Sequence, residues 1–220
     1  MMTVQSMYDL THTRARSLLE SVTYPWEALD SIGEAIMQLG PTLDPEAYDH
    51  PQENVWIAKS ATVAPTASIT GPCIIGEKTE VRQCAFIRGN ALVGDGCVVG
   101  NSTELKNVIL FDGVQVPHYN YVGDSILGWH SHMGAGSITS NVKSDKSLVV
   151  IHDGQERMET GRKKVGAMLA DDVEIGCGSV LNPGTVVGKG SRVYPLTSVR
   201  GVIPAGHICK QDGTKVEIRK

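Results

Sequence analysis

The chain has 220 residues, 41% of them hydrophobic, with 24 glycines and only two phenylalanines, which is enough for one domain with a core plus an appendage. A formal net charge of -4 supplies no broad basic surface of the kind that dominates nucleic-acid affinity, so nucleic acid is not an expected partner. No apolar run approaches the ~20 residues of a membrane span, and "MMTVQSMYDLTHTRAR" lacks the apolar stretch of a signal peptide, so the expectation is a soluble cytoplasmic protein with no membrane partner.

In chain order, the first fifty residues read as helical. "PWEALDSIGEAIMQLGP" has Pro25 at a first helical position, Trp26, Leu29, Ile32, Ile36 and Leu39 at roughly helical spacing, and Gly40-Pro41 as a stop. This predicts one amphipathic helix, preceded by a shorter one in "THTRARSLLESV", the pair serving as a packing cap or connector over residues 1–50. From Ile57 a sixfold beat begins: Ile57, Val63, Ile69, Ile75, Val81, Ile87, Val93, Val99, Leu105 and Phe111. Four positions after each of the first eight stands a small residue, from Ala61 to Thr103. The beat returns at Leu169, Ile175, Leu181, Val187, Val193 and Val199.

A hexapeptide period with one large aliphatic and one small inward residue marks a β-helix, three hexapeptides making an eighteen-residue coil. The expected domain of this type is 51–205, all-β, with a C-terminal tail at 206–220. An insertion at 142–168 interrupts it, and Asp153-Gly154 there reads as a hairpin turn. The five cysteines, scattered and odd in number with no CxxC pair, suggest buried thiols rather than disulfides or a zinc ribbon.

The position after each aliphatic is mostly Gly or Ala, so Arg88 and Lys106 stand out. Eighteen residues apart, they are expected on one corner of adjacent coils, where two cations repel unless an anion or carboxylates sit between them. A phosphate would serve; so would a surface ladder with Glu104. In "VPHYNYVGD" the beat falters at Pro117, with steps of five to Val122 and Leu127, and irregularities in regular β structure cluster near active sites. His118 is therefore a candidate base, with a surface or packing residue as the bland reading.

The repeat resembles the left-handed parallel β-helix of hexapeptide-repeat transferases, commonly homotrimers. More specifically, "GNSTELKNVILFDGVQVPHYNYVGDSILG" and "HMGAGSITSN" are similar to the acetyltransferase half of the bifunctional UDP-N-acetylglucosamine pyrophosphorylase/glucosamine-1-phosphate N-acetyltransferase, above all to archaeal-type sugar-1-phosphate nucleotidylyltransferase/amino-sugar acetyltransferases, whose insertion is like "METGRKKVGAM". This resemblance covers roughly 50–205, and "PWEALDSIGEAI" resembles the helix joining the two halves there. It implies an acetyl-CoA-dependent N-acetyltransferase acting on an amino-sugar 1-phosphate, with acetyl-CoA as co-substrate. By the same resemblance His118 is the general base, Arg88 and Lys106 bind phosphate, Tyr121 and Asn141 contact sugar and phosphate, and Ala135 gives a backbone contact to acetyl-CoA. Lys146 falls on a family lysine of the insertion.

Arg162, Lys163 and Lys164 invite a reading as a clamp for the phosphates of coenzyme A, with a solvated charge run as the alternative. Cys177 joins the coenzyme-side candidates, though no base pairs with it to make a nucleophile. Two departures stand out: His132 replaces a family Asn at the substrate, and a second insertion lysine gives way to the Val149 neighbourhood. No glycine-rich phosphate loop occurs in residues 1–50, so sugar activation with a nucleoside triphosphate is not expected. Because Lys106 and His118 differ by twelve positions, one chain puts them on different faces, and a shared site is expected where subunits meet. The rival expectations are a non-catalytic sugar-phosphate-binding or regulatory trimer and a metal-dependent carbonic anhydrase, whose three widely spaced histidines His118, His130 and His132 do not reproduce; no metal is expected.

Overall fold

The six-residue beat becomes a parallel β-solenoid of about nine turns. The computed structural model describes residues 2–219. Each hexapeptide contributes a short strand, and strands one turn apart pair in parallel, Ile57 with Ile75 and Ile75 with Val93 on one face, Val63 with Val81 and Val81 with Val99 on another. The small residue four positions on lets the chain turn inside a narrow coil. Where it is polar it is satisfied: buried Thr79 and Thr103 donate to the carbonyls of Gly94 and Val116 at 2.8 and 2.9 Å.

The strands form a fourteen-stranded sheet and a nine-stranded sheet. The larger wraps two faces of the coil, because strand Glu104–Leu110 pairs with Phe86–Ile87 before a corner and with Ala91–Val93 after it.

After Leu105 the beat lies one residue away from where the six-residue spacing puts it. Ile57, Ile75 and Val93 follow one another at intervals of 18, but Val93 pairs with Leu110, and Leu110 with Leu127, at intervals of 17. Leu110 therefore holds the inward position expected of Phe111, and Val116, paired with Val99, the one expected of Pro117. Phe111 is buried elsewhere, its ring 5.0 Å from that of Tyr8 under the N-terminal segment. Pro117 is an outward residue of Gln115–His118 and no break in the repeat. The lost residue lies at a corner: Arg88-Gly89-Asn90 on one turn corresponds to Lys106-Asn107 on the next, since the Asn107 N–H bonds the Gly89 carbonyl and the Val108 N–H that of Asn90. Strands Glu104–Leu110 and Tyr121–Leu127 run unbroken across this tightened corner.

The N-terminal segment is part of the same core. On the fourteen-stranded sheet Ile74, Leu92, Ile109, Ile126 and Met168 stack outward in one column, and all are buried. Trp26, Leu29, Ile32 and Ile36 belong to the same buried cluster, and helix Ile32–Leu39 packs on the strands that carry Ile74, Leu92 and Ile109. Burial of a column this size is worth ~1.5–3 kcal/mol per large aliphatic side chain. The expected single helix is two: a 3₁₀ helix over Pro25–Ser31 and an α-helix over Ile32–Leu39. The apolar spacing carries the reason, since Trp26, Leu29 and Ile32 step by three, the 3₁₀ period, before Ile36 follows at four. Ahead of them helix Arg16–Glu20 forms in the expected place, and residues 7–14 run along a corner as a strap. The carbonyls of Met7 and His12 accept from the N–H groups of Asp171 and Asp112, and Arg14 reaches Asp95 at 2.6 Å.

The insertion forms the hairpin Val150–Asp153 and Glu156–Glu159, turning at Gly154, whose φ is 61°. It lies on the solenoid rather than standing free, with Val149 and Ile151 fully buried. The segment from 206 onward is no free tail: His207–Cys209 adds a last parallel strand beside Arg192–Val193, and Lys215–Glu217 closes it antiparallel. Cys73, Cys97 and Cys209 are buried and unpaired, while Cys84 and Cys177 are exposed. Among the described residues no helix is long and apolar enough to cross a membrane.

Candidate active site

The tightened corner makes the pocket. Asn90, Asn107 and Asp124 stand on it in successive turns with φ of 50°, 55° and 48°, the left-handed region that Asn and Asp tolerate best after glycine. The backbone thus favours short amide and carboxylate side chains there. Beside them on the rungs stand the two cations, Arg88 two residues before Asn90 and Lys106 one residue before Asn107. Phe86 and Ile87 pair with Glu104 and Leu105, which sets Arg88 over Lys106 on adjacent turns as their spacing predicts. A cavity of about 280 Å³ is lined by Arg88, Gly89, Asn90, Lys106, Asn107 and Asp124, with Leu29 and Asp30 from the N-terminal segment as its far wall.

The cations are not left to repel. Arg88 Nη1 lies 2.6 Å from Glu104 Oε1, and Lys106 Nζ 3.7 Å from Asp124 Oδ1. Asp124 is the hub, with a side chain only 7% exposed. Besides Lys106 it accepts from Asn107 Nδ2 at 3.0 Å and Asn141 Nδ2 at 2.5 Å. Asn141 also donates to the Tyr121 hydroxyl at 3.2 Å. Burial pushes the Tyr121 phenol above its usual range, and the nearby negative charges of Asp124 and Glu104 add to this. Arg88, Lys106, Tyr121 and Asn141, proposed from sequence on different grounds, are therefore one connected constellation. Glu104 is the carboxylate that the sequence offered as the rival of a phosphate, and it does pair with Arg88. Asn107, Asp124 and Asp30 were not singled out, although an Asn or Asp recurring at 90, 107 and 124 marks the corner in the sequence.

His118 belongs to the other sheet. It ends strand Gln115–His118, opposite Asn101, and is exposed. Among the described residues its imidazole has no hydrogen-bond or ionic partner, so both ring nitrogens are open to an incoming group. The chain then turns through Tyr119, at φ 52°, into buried Asn120, whose amide donates to the carbonyls of Gly134 and Ser137 at 2.9 and 3.0 Å and so fixes the turn below His118. The next turns of this corner bring Ala135 and Cys177 into line with it. The Gly136 N–H bonds the His118 carbonyl at 3.0 Å, and the Gly178 N–H bonds the Ala135 carbonyl at 2.8 Å.

Other candidates lie apart. His132 pairs with Gln115 below and Glu174 above, and its Nδ1 is 2.8 Å from Glu174 Oε2, beside a cavity of about 410 Å³ that also meets His130. Among the described residues its Nε2 has no hydrogen-bond or ionic partner. Lys146 and Lys163 are exposed on the insertion, and Lys164 forms an isolated bridge with Val142. Arg162 does not join the two lysines: it pairs with Asp30 and donates to the Glu27 carbonyl at 3.0 Å, tying the insertion to the N-terminal segment.

A family model described as the GMPPB C-terminal domain matches residues 69–187, more than half of the chain. The bifunctional sugar-1-phosphate nucleotidylyltransferase/acetyltransferase of Sulfurisphaera tokodaii is 29% identical over 126 residues, 57% of this chain and 31% of that protein. The bifunctional protein GlmU of Methanococcus aeolicus is 30% identical over 185 residues, 76% of this chain and 41% of that protein. The chain thus spans well under half the length of these curated relatives. Among solved structures, the perosamine N-acetyltransferase of Caulobacter crescentus, in complex with CoA and GDP-perosamine, is similar at 17% identity and a TM-score of 0.35, covering 71% of this chain and 52% of that one. The acetyltransferase domain of PglB from Neisseria gonorrhoeae, in complex with acetyl coenzyme A, is similar at 16% identity and a TM-score of 0.31, covering 72% and 55%.

Proposed function

We propose that this chain, which belongs to the GMPPB C-terminal domain family, is an acetyl-CoA-dependent N-acetyltransferase acting on an amino-sugar 1-phosphate such as glucosamine 1-phosphate or galactosamine 1-phosphate. The observation that carries this reading is the corner pocket: two stacked cations, Arg88 and Lys106, beside a row of amide and carboxylate side chains suited to sugar hydroxyls. The names of the curated relatives, which include a sugar-1-phosphate nucleotidylyltransferase/acetyltransferase, support the same class.

In this reading the phosphate exchanges places with Glu104 on Arg88 and approaches Lys106, while Asn141 and Tyr121 orient the sugar. His118, with both ring nitrogens free, takes a proton from the amine as its nitrogen attacks the thioester carbonyl of acetyl-CoA. The tetrahedral intermediate collapses with cleavage of the C–S bond, and the coenzyme thiolate leaves and takes up a proton. Transfer is direct, with no acyl-enzyme, and Cys177 takes no covalent part. The backbone at Ala135, on the turn beside His118, lies along the coenzyme. His118 is on the nine-stranded sheet and Lys106 on the fourteen-stranded one, so one copy's base serves a neighbour's pocket in a homotrimer. A second reading, a non-catalytic sugar-phosphate-binding or regulatory trimer, is favoured by one observation: each pocket cation already holds a carboxylate.

Thiol release from acetyl-CoA, measured across amino-sugar phosphates and nucleotide-linked amino sugars, tests the assignment. Turnover with an amino-sugar 1-phosphate is expected. Binding of that compound with no thiol release would select the second reading, and an active monomer would overturn the shared site.

A further inference from the structure

Asp30 and the two pocket cations share one cavity, yet Asp30 bonds neither of them. It is carried by the 3₁₀ helix Pro25–Ser31, its side chain is 81% exposed, and its ionic partner is Arg162 of the insertion. Arg162 is itself well covered, 18% exposed, and held from a second side by the Glu27 carbonyl. The guanidinium is thus fixed to the backbone of the helix that presents Asp30. An unrestrained carboxylate lining a pocket with Arg88 and Lys106 would be drawn to them by simple Coulomb attraction and would compete with any anionic ligand. Glu104 and Asp124 already pair with Arg88 and Lys106, so a phosphate must exchange places with or share these two carboxylates, and Asp30 would add a third competitor.

We propose that Arg162 is a positioning residue that holds Asp30 off Arg88 and Lys106, sparing a phosphate a third carboxylate competitor besides Glu104 and Asp124 and leaving the free carboxylate oxygen of Asp30 to accept from sugar hydroxyls. The cap and the insertion, 135 positions apart at Glu27 and Arg162, together build the wall that distinguishes a sugar phosphate from a bare phosphate. This rests on the sugar-phosphate reading of the pocket given above.

Calorimetric titration of the full chain with inorganic phosphate and with glucosamine 1-phosphate tests it. Arg162→Ala is expected to weaken binding of both probes about tenfold, because Asp30 closes on the cations. Asp30→Asn in the Arg162→Ala background is expected to restore inorganic phosphate binding. Asp30→Asn alone should leave inorganic phosphate bound as in the wild type but remove the preference for glucosamine 1-phosphate over it. If the pair merely fastens the cap, the two single variants will behave alike and the double variant will show no rescue, which overturns the proposal. Retained binding of glucosamine 1-phosphate by the wild type in that case leaves the sugar-phosphate reading standing. If the wild type binds neither probe, both fall.

Discussion

Two outward columns of the solenoid share the same ladder geometry and meet different surroundings. On the fourteen-stranded sheet Ile74, Leu92, Ile109, Ile126 and Met168 stack on one another and are buried, the N-terminal helices packing on the strands of the first four. On the nine-stranded sheet the corresponding column is Glu80, Val98, Gln115, His132, Glu174 and Arg192, and none of these is buried. The backbone is indifferent to the outcome. What decides it is the residue before each inward aliphatic: a second aliphatic makes a face that must be covered, a polar one a face that stays open. The covered face is the scaffold that brings Leu29 and Asp30 to the corner pocket, and the open face carries His118.

The contrast predicts effects of graded size. Ile109→Asp places an uncompensated carboxylate beneath the cap and should cost at least about 3 kcal/mol, read as a large fall in the denaturation midpoint. If the variant melts like the wild type, the cap is not bound as described. His118→Ala, on the open face, should leave the melting curve in place and lower the rate of thiol release by ~10²–10⁴. Full activity in that variant would remove His118 from the mechanism. Gln115→Asp, at the other end of the same strand and exposed, should change stability by no more than about 0.5 kcal/mol. A shift comparable to that of Ile109→Asp would mean that this face is covered too.

Much of the fold was legible in the sequence because each turn of a solenoid is local, and its hexapeptides each repeat the same instruction. The cation pair was legible for the same reason: a spacing of eighteen places Arg88 over Lys106 whatever else happens. The break in the repeat was misplaced. Phe111 and Pro117 continue a count of six by number, but Leu110 and Val116 continue it in space, since the chain drops a residue at the corner after Lys106. A sequence in which neighbouring positions are both aliphatic, as at Ile109 and Leu110, cannot by itself say which one faces inward. In "VPHYNYVGD" the residue that organises the pocket is Asp124 at its end, while His118 stands on another sheet.

The amino-acid sequence alone determined the solenoid, its interruption by a hairpin and the stacking of like positions on neighbouring turns, because these follow from periodicity over about eighteen residues. Tertiary structure decided which column is covered, where the shortened corner lies and which carboxylate meets which cation. The pairing of Arg162 with Asp30 is of this second kind. Such contacts join segments far apart in the chain, and their partners are chosen by the packing of helices and hairpin against the coil, which no local spacing encodes.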